Sequence, residues 1–230
     1  MAEQKPGPAG SLWTAVPYVL PFAVFIGFLA LQKYVPLPSN IEFIVRDLLL
    51  AAVLLGFSRR AIQLHPFHRL ETVIVGVAVF LIWVGPDLLF PAYRGHWLFQ
   101  NALLGQLTVT VPGGGFQSPW ALGPRILQAV VFVPILEELF WRAWLMRWLI
   151  SPHFEKIPLG AYQAGAFWIT AVLFASEHGP YWDVGLIAGI AYNWWMVRTR
   201  SLGDCILAHA VTNACLCGYV VATHRWEYWL

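Results

Sequence analysis

VVFVPILEELFWRAWLMRWLI, residues 130–150, is apolar enough to cross a bilayer, yet it carries Glu137, Glu138 and Arg142 at its centre. Charged side chains at that depth cost about 2.5–3.5 kcal/mol each on insertion scales, so a sequence that keeps three of them marks a site as well as a span. Working outward, the rest of the chain fits the same medium. Of 230 residues, 59% are hydrophobic and only 11% charged, with a mean hydropathy of +0.62. Soluble domains carry about 25% charged residues, so the expected fold class is all-α: a polytopic helical bundle integral to the membrane. A net charge of +2 without a Lys/Arg run excludes nucleic acid as a partner.

Pro, Gly and charge clusters divide the chain into about seven spans, each near the ~20 residues needed to cross hydrocarbon. They are Trp13–Val35, Ile41–Phe57, Leu70–Phe90, Ala121–Ile150, Ala161–Glu177, Val184–Val197 and Leu202–Thr223. An eighth element is conceivable where Leu98–Val111 dips into the membrane ahead of the Pro112–Gly115 stretch. The N-terminus lacks the pattern of a cleaved secretory signal, so the first span is expected to be a retained anchor. The whole of residues 1–230 reads as one membrane domain, with 121–218 as its catalytic core.

Basic residues fall in alternate loops, at Arg59, Arg60 and Arg69, at Arg147 and Lys156, and at Arg198 and Arg200. The positive-inside rule then places the N-terminus inside and the C-terminus outside. Tyr34, Trp97, Trp120, Tyr181, Trp182, Trp226 and Trp229 are expected to form an outer aromatic belt. Three cysteines, Cys205, Cys215 and Cys217, sit in the last apolar span and do not read as a disulfide framework.

The polar residues inside the spans recur at helical spacing. Glu138 and Arg142, four apart in the favourable order, are natural partners, which leaves Glu137 without a cation and suited to general-base work. Pro134, one turn earlier, should bend the helix and free a backbone carbonyl. Phe174 and His178 share a face, so the phenyl ring can orient an imidazole able to shuttle a proton. His209 and Asn213, also four apart, offer two N–H donors in one direction, enough to hold an oxyanion. Each pair has a plainer reading, as a structural ion cluster, a helix-end histidine or interhelical hydrogen bonds. Ser201 and Asp204 read as a capping box, and Glu42, Arg46 and Asp47 as partners on one face. Asp87 belongs near the end of the third span. Glu177 either tunes His178 or is an interfacial carboxylate. Helical rise places His178 near one membrane edge and His209 in the other half, so the fifth span is either wrongly bounded or shallow and tilted.

The order Glu-Glu-x-x-x-Arg, Phe-x-x-x-His, His-x-x-x-Asn in apolar segments resembles the CAAX protease and bacteriocin-processing (CPBP, or Abi) family of intramembrane endopeptidases, with likeness to its type II CAAX prenyl proteases. The run into the third motif, Ser201–His209, is also similar. The resemblance implies a glutamate-dependent peptidase of a multi-pass protein in a prokaryotic cytoplasmic membrane. By it, Glu137 and His178 activate water, His209 and Asn213 hold the oxyanion, and Glu138, Arg142 and Phe174 support them. The implied partners are the lipid bilayer and a membrane-anchored or lipidated peptide substrate. No cofactor is required, although Glu137, His178 and His209 could form a three-ligand zinc site without the HExxH pattern. A cysteine enzyme built on Cys205 and His209, a proton-coupled transporter or channel, and a non-enzymatic scaffold remain the other readings.

Overall fold

The computed structural model describes residues 12–32, 34–35, 37–101 and 119–229. It is helical, and its seven main helices follow the spans read from hydropathy: α1 (Leu12–Leu31), α2 (Ser39–Val53, continuing through a π-turn at Leu54–Ser58), α3 (Arg69–Leu89), α4 (Pro119–Trp148), α5 (Ala164–Ser176), α6 (Trp182–Thr199) and α7 (Leu202–Thr223). Among the described residues, α1, α3, α4 and α7 are long and apolar enough to cross a membrane. The others fall short for visible reasons. α2 has 15 residues and carries Glu42, Arg46 and Asp47, α5 has 13, and α6 includes Asp183, Asn193 and Arg198. Of the stretch Leu98–Val111, residues 102–111 lie outside the described residues.

Close helix approach comes from small residues, as lipid offers no hydrophobic drive between helices. α3 packs along α7 at Gly76, where a Cβ would stand 2.5 Å from the Ala208 carbonyl oxygen and 2.8 Å from Val211 Cβ. That contact sets the spacing of these two helices. The carbonyl of Gly76 also accepts from the Thr212 hydroxyl at 2.8 Å.

The start of α7 is pinned to the start of α3. Ser201 Oγ accepts from the Asp204 N–H at 3.1 Å, the first half of the expected capping box. The Asp204 carboxylate turns elsewhere, accepting from Phe67 N (3.1 Å), His68 N (3.0 Å) and Thr72 Oγ1 (2.8 Å). It thus fixes the entry into another helix, taking the N–H of its N-cap residue, His68, and of Phe67 before it.

At the opposite end, the segment after α3 covers the turn between α5 and α6. Arg94 pairs with Asp87 (3.1 Å) and Asp183 (2.6 Å) and donates to the Pro180 carbonyl at 2.7 Å. Burial opposes its charge, but the hydrogen bond and charge of Asp183, joined by Asp87, win and raise its pKa above the ordinary arginine value. Tyr93 Oη donates to Asp183, and Trp182 Nε1 to the Leu98 carbonyl. This packing corrects part of the expected aromatic belt. Tyr34, Trp97 and Trp120 are well exposed, whereas Tyr181 and Trp229 are buried. The Arg94 guanidinium lies 4.3 Å from the Tyr181 ring centre, and Trp83 stacks on the same ring at 6.2 Å.

The fifth helix, Ala164–Ser176, is shorter than the span read from hydropathy. At about 1.5 Å per residue α5 rises only about 20 Å, against a hydrocarbon core of about 30 Å. Its exit turn, Gly179–Tyr181, therefore lies beneath the 93–101 segment, and His178 is carried into the bundle.

Candidate active site

Helix α4 is the spine of the site and is not a regular α-helix. It widens to π-turns at Gln128–Phe132 and Leu139–Leu145, on either side of Val133–Glu138. Single π-turns gather at functional sites. The first has a local cause: Val133 N–H bonds five residues back to Gln128 O, and the next donor in that series would be Pro134, which has no N–H. The carbonyl of Ala129 is thereby released. Asn213 Nδ2 donates to it at 2.8 Å, the freed acceptor that Pro134 foretold.

Glu138 is fully buried and its Oε1 serves two partners, Arg142 Nη1 at 3.1 Å and His209 Nδ1 at 2.9 Å. Arg142, equally buried, extends the chain to α6 through Asn193 Oδ1 (3.0 Å) and the Gly189 carbonyl (3.5 Å). Its guanidinium lies 4.4 Å from the Phe174 ring centre. Asn193 in turn donates to Phe167 O on α5 at 2.8 Å. One ion pair thus ties α4 to α5, α6 and α7.

Glu137 points away from this pair. Its Oε2 faces His209 Nε2 at 4.0 Å and has no hydrogen bond among the described residues. His178 places Nδ1 2.8 Å from Phe174 O. A carbonyl only accepts, so Nδ1 carries the hydrogen and Nε2 of the neutral ring keeps its lone pair. Phe174 (ring centres 4.7 Å apart) and Trp83 (5.2 Å) hold the imidazole between them. Gly185 leaves the room, since a Cβ there would lie 3.1–3.2 Å from the His178 ring.

Glu137, His178, His209 and Asn213 line one cavity of roughly 260 Å³, with Glu177 beside them. The structure therefore brings all four together, with Phe174 on the same wall and Glu138 and Arg142 behind. Glu177 reaches Glu137 electrostatically. Cys205 does not line the cavity; its thiol points at the Tyr192 carbonyl, 3.7 Å away. Among the described residues no three His, Cys, Asp or Glu side chains are grouped as metal ligands.

Sequence reasoning passed over Tyr192, Asn193 and Gly185. Tyr192 stacks on His209 (ring centres 5.0 Å, planes 22° apart) and donates from Oη to Thr212 Oγ1 at 2.8 Å. Their only signal is the sixth span itself, polar on the side where a fully apolar helix would have served.

Residues 119–215 match the Rce1-like family. Its model is described as Type II CAAX prenyl endopeptidase Rce1-like. The Rce1-like segment is less than half of the chain, but it contains Glu137, Glu138, Arg142, Phe174, His178, His209 and Asn213. No curated protein and no solved structure gives a significant match. The Rce1-like segment thus spans α4 to α7, the helices that bring the site together, and the family it matches is in general one of peptidases.

Proposed function

We propose that this protein is a glutamate-dependent intramembrane endopeptidase. The observation that supports the reading is the placement of Glu137: a buried carboxylate oxygen without a hydrogen bond among the described residues, 4.0 Å from His209 Nε2 in the cavity shared with His178. That separation is too long for a direct hydrogen bond and suits a bridging water.

Glu137, with the His178 Nε2 lone pair, takes a proton from this water as its oxygen attacks the peptide carbonyl carbon. The carbonyl electrons move onto oxygen, and His209 and Asn213 stabilise that charge. Asn213 has one Nδ2 hydrogen on Ala129 O and a second to give. His209 already directs Nδ1 at Glu138, so it donates to an oxyanion only when Nε2 also bears hydrogen. Collapse of the intermediate breaks the C–N bond, and Glu137 returns its proton to the leaving amine. Glu138 and Arg142 hold His209 and the helices in place.

The substrate in this reading is a membrane-anchored or lipidated peptide. Phe25, Ile26 and Leu29 of α1 line the same cavity, and Ile26 is partly exposed, so an apolar anchor arriving from lipid meets α1 on its way to the carboxylates. A metal is no part of this scheme, and chelation tests that.

The decisive experiment compares wild type with Glu137→Gln, both folded in lipid, for cleavage of membrane-anchored peptides read by mass spectrometry. Products from wild type alone support the reading. Equal cleavage by both removes Glu137 from the mechanism, and no cleavage alongside pH-driven proton flux in liposomes would replace the peptidase with a transporter.

A further inference from the structure

The cavity has a second polar end that the proposed chemistry does not use. Arg46 and Arg125 line it together with Tyr228 and Trp229. Arg46 is taken: it pairs with Glu42 and donates to Gln32 Oε1 at 2.9 Å. Arg125 has no hydrogen bond or ion pair among the described residues. Its guanidinium is held by ring faces alone, 5.5 Å from Trp229 and 5.8 Å from Phe43. The groups within electrostatic reach are the Cys217 thiol, the like-charged Arg46, Glu42, already paired, and Asp47, whose oxygens, among the described residues, also lack hydrogen bonds and do not approach within ion-pair distance.

Ring faces attract a guanidinium but leave its in-plane N–H donors unused. Five such donors in a fork match the two oxygens of a carboxylate. The plainer explanation is an arginine extended towards lipid headgroups. Against it stands the position of Arg125 on the wall of the same cavity as Glu137, twelve residues earlier on the same helix. Twelve residues rise about 18 Å, which an extended peptide covers in about five residues.

We propose that Arg125 is a specificity subsite that binds a carboxylate of the substrate about five residues from the cut bond. This rests on the peptidase reading for the identity of the ligand. The carboxylate comes from a chain terminus or from an Asp or Glu side chain, and the same geometry serves either.

The test reads binding, not cleavage. Glu137→Gln protein in phospholipid-free maltoside micelles is titrated with N-palmitoylated, fluorescein-labelled peptides. One ends in a free carboxylate, one in the amide, and one is an amide with a glutamate moved along the chain. The expected result is about tenfold or tighter binding of an acid over the plain amide, lost in Arg125→Gln and partly kept in Arg125→Lys, which preserves the charge and controls for folding. A gain for the terminal acid alone assigns the terminus, and a gain for the glutamate peptide at one spacing assigns the side chain. Equal binding of acids and amide, or an acid preference that survives Arg125→Gln, overturns the proposal. So does loss of the preference on adding phosphatidylglycerol, which would give the arginine to a lipid phosphate. An Arg125-dependent preference in a wild-type protein that cuts nothing would leave this subsite standing and sink the peptidase.

Discussion

His209 Nδ1 lies 2.9 Å from Glu138 Oε1, the same oxygen that receives Arg142 at 3.1 Å. A carboxylate read from spacing as one helix's internal partner is therefore also the support of the His209 imidazole on another. Removing it leaves Arg142 buried without its ion-pair partner, and breaking a buried pair from one side costs about 3–5 kcal/mol. Glu138→Ala is expected to lower the thermal midpoint in detergent sharply and to abolish cleavage. Wild-type thermal stability in that variant would show that the pair does not hold the bundle.

Gly185→Ala asks whether the orientation of His178 matters. The new Cβ meets the ring at 3.1–3.2 Å, tight enough to push it by a few tenths of an ångström while leaving the helix ends untouched. Since misplacing a catalytic group by about 1 Å can cost about 10²-fold, kcat should fall roughly tenfold with little change in thermal midpoint. Unchanged kcat would remove His178 from the water-activating role.

Asn213→Ala deletes both the donor to Ala129 O and the spare hydrogen aimed at the cavity. Loss of one oxyanion donor costs about 10²–10³-fold in kcat. The expected signature is that loss with KM nearly unchanged, measured by steady-state cleavage. A rise in KM alone would make Asn213 a structural brace for the α4 π-turn.

Dialysis against a chelator should leave cleavage intact, because the proposed water is activated by Glu137 and His178 without a bound ion. Loss of activity that zinc restores would favour the three-ligand alternative of Glu137, His178 and His209.

The α3–α7 contact offers a test of the fold. Gly76→Val puts a branched side chain where even a Cβ would be 2.5 Å from Ala208 O. Overpacking typically costs about 1–3 kcal/mol, and backbone that cannot yield makes this position worse than most. Reduced yield of folded protein on size exclusion is expected, and a normal yield would show that the two helices can separate.

Hydropathy alone marked where the seven helices lie, because an apolar segment in lipid must satisfy its backbone bonds internally, although four of them, among the described residues, are long and apolar enough to cross. Helical spacing delivered the Glu138–Arg142 pair and the Phe174–His178 contact, both four residues apart, and Pro134 announced a free carbonyl. These are local relations, fixed by 3.6 residues per turn. Where Glu138 would send its second bond, how Asp204 would leave its own helix to cap α3, and which tyrosine would stack on His209 were decided by the packing of distant helices. The distance between His178 and His209 was decided the same way, since the shortness of α5 sets its end inside the bundle. Arg125 illustrates the divide most simply: in the sequence it is a lone cation near a helix start, and only the fold opens it onto the cavity that Glu137 lines.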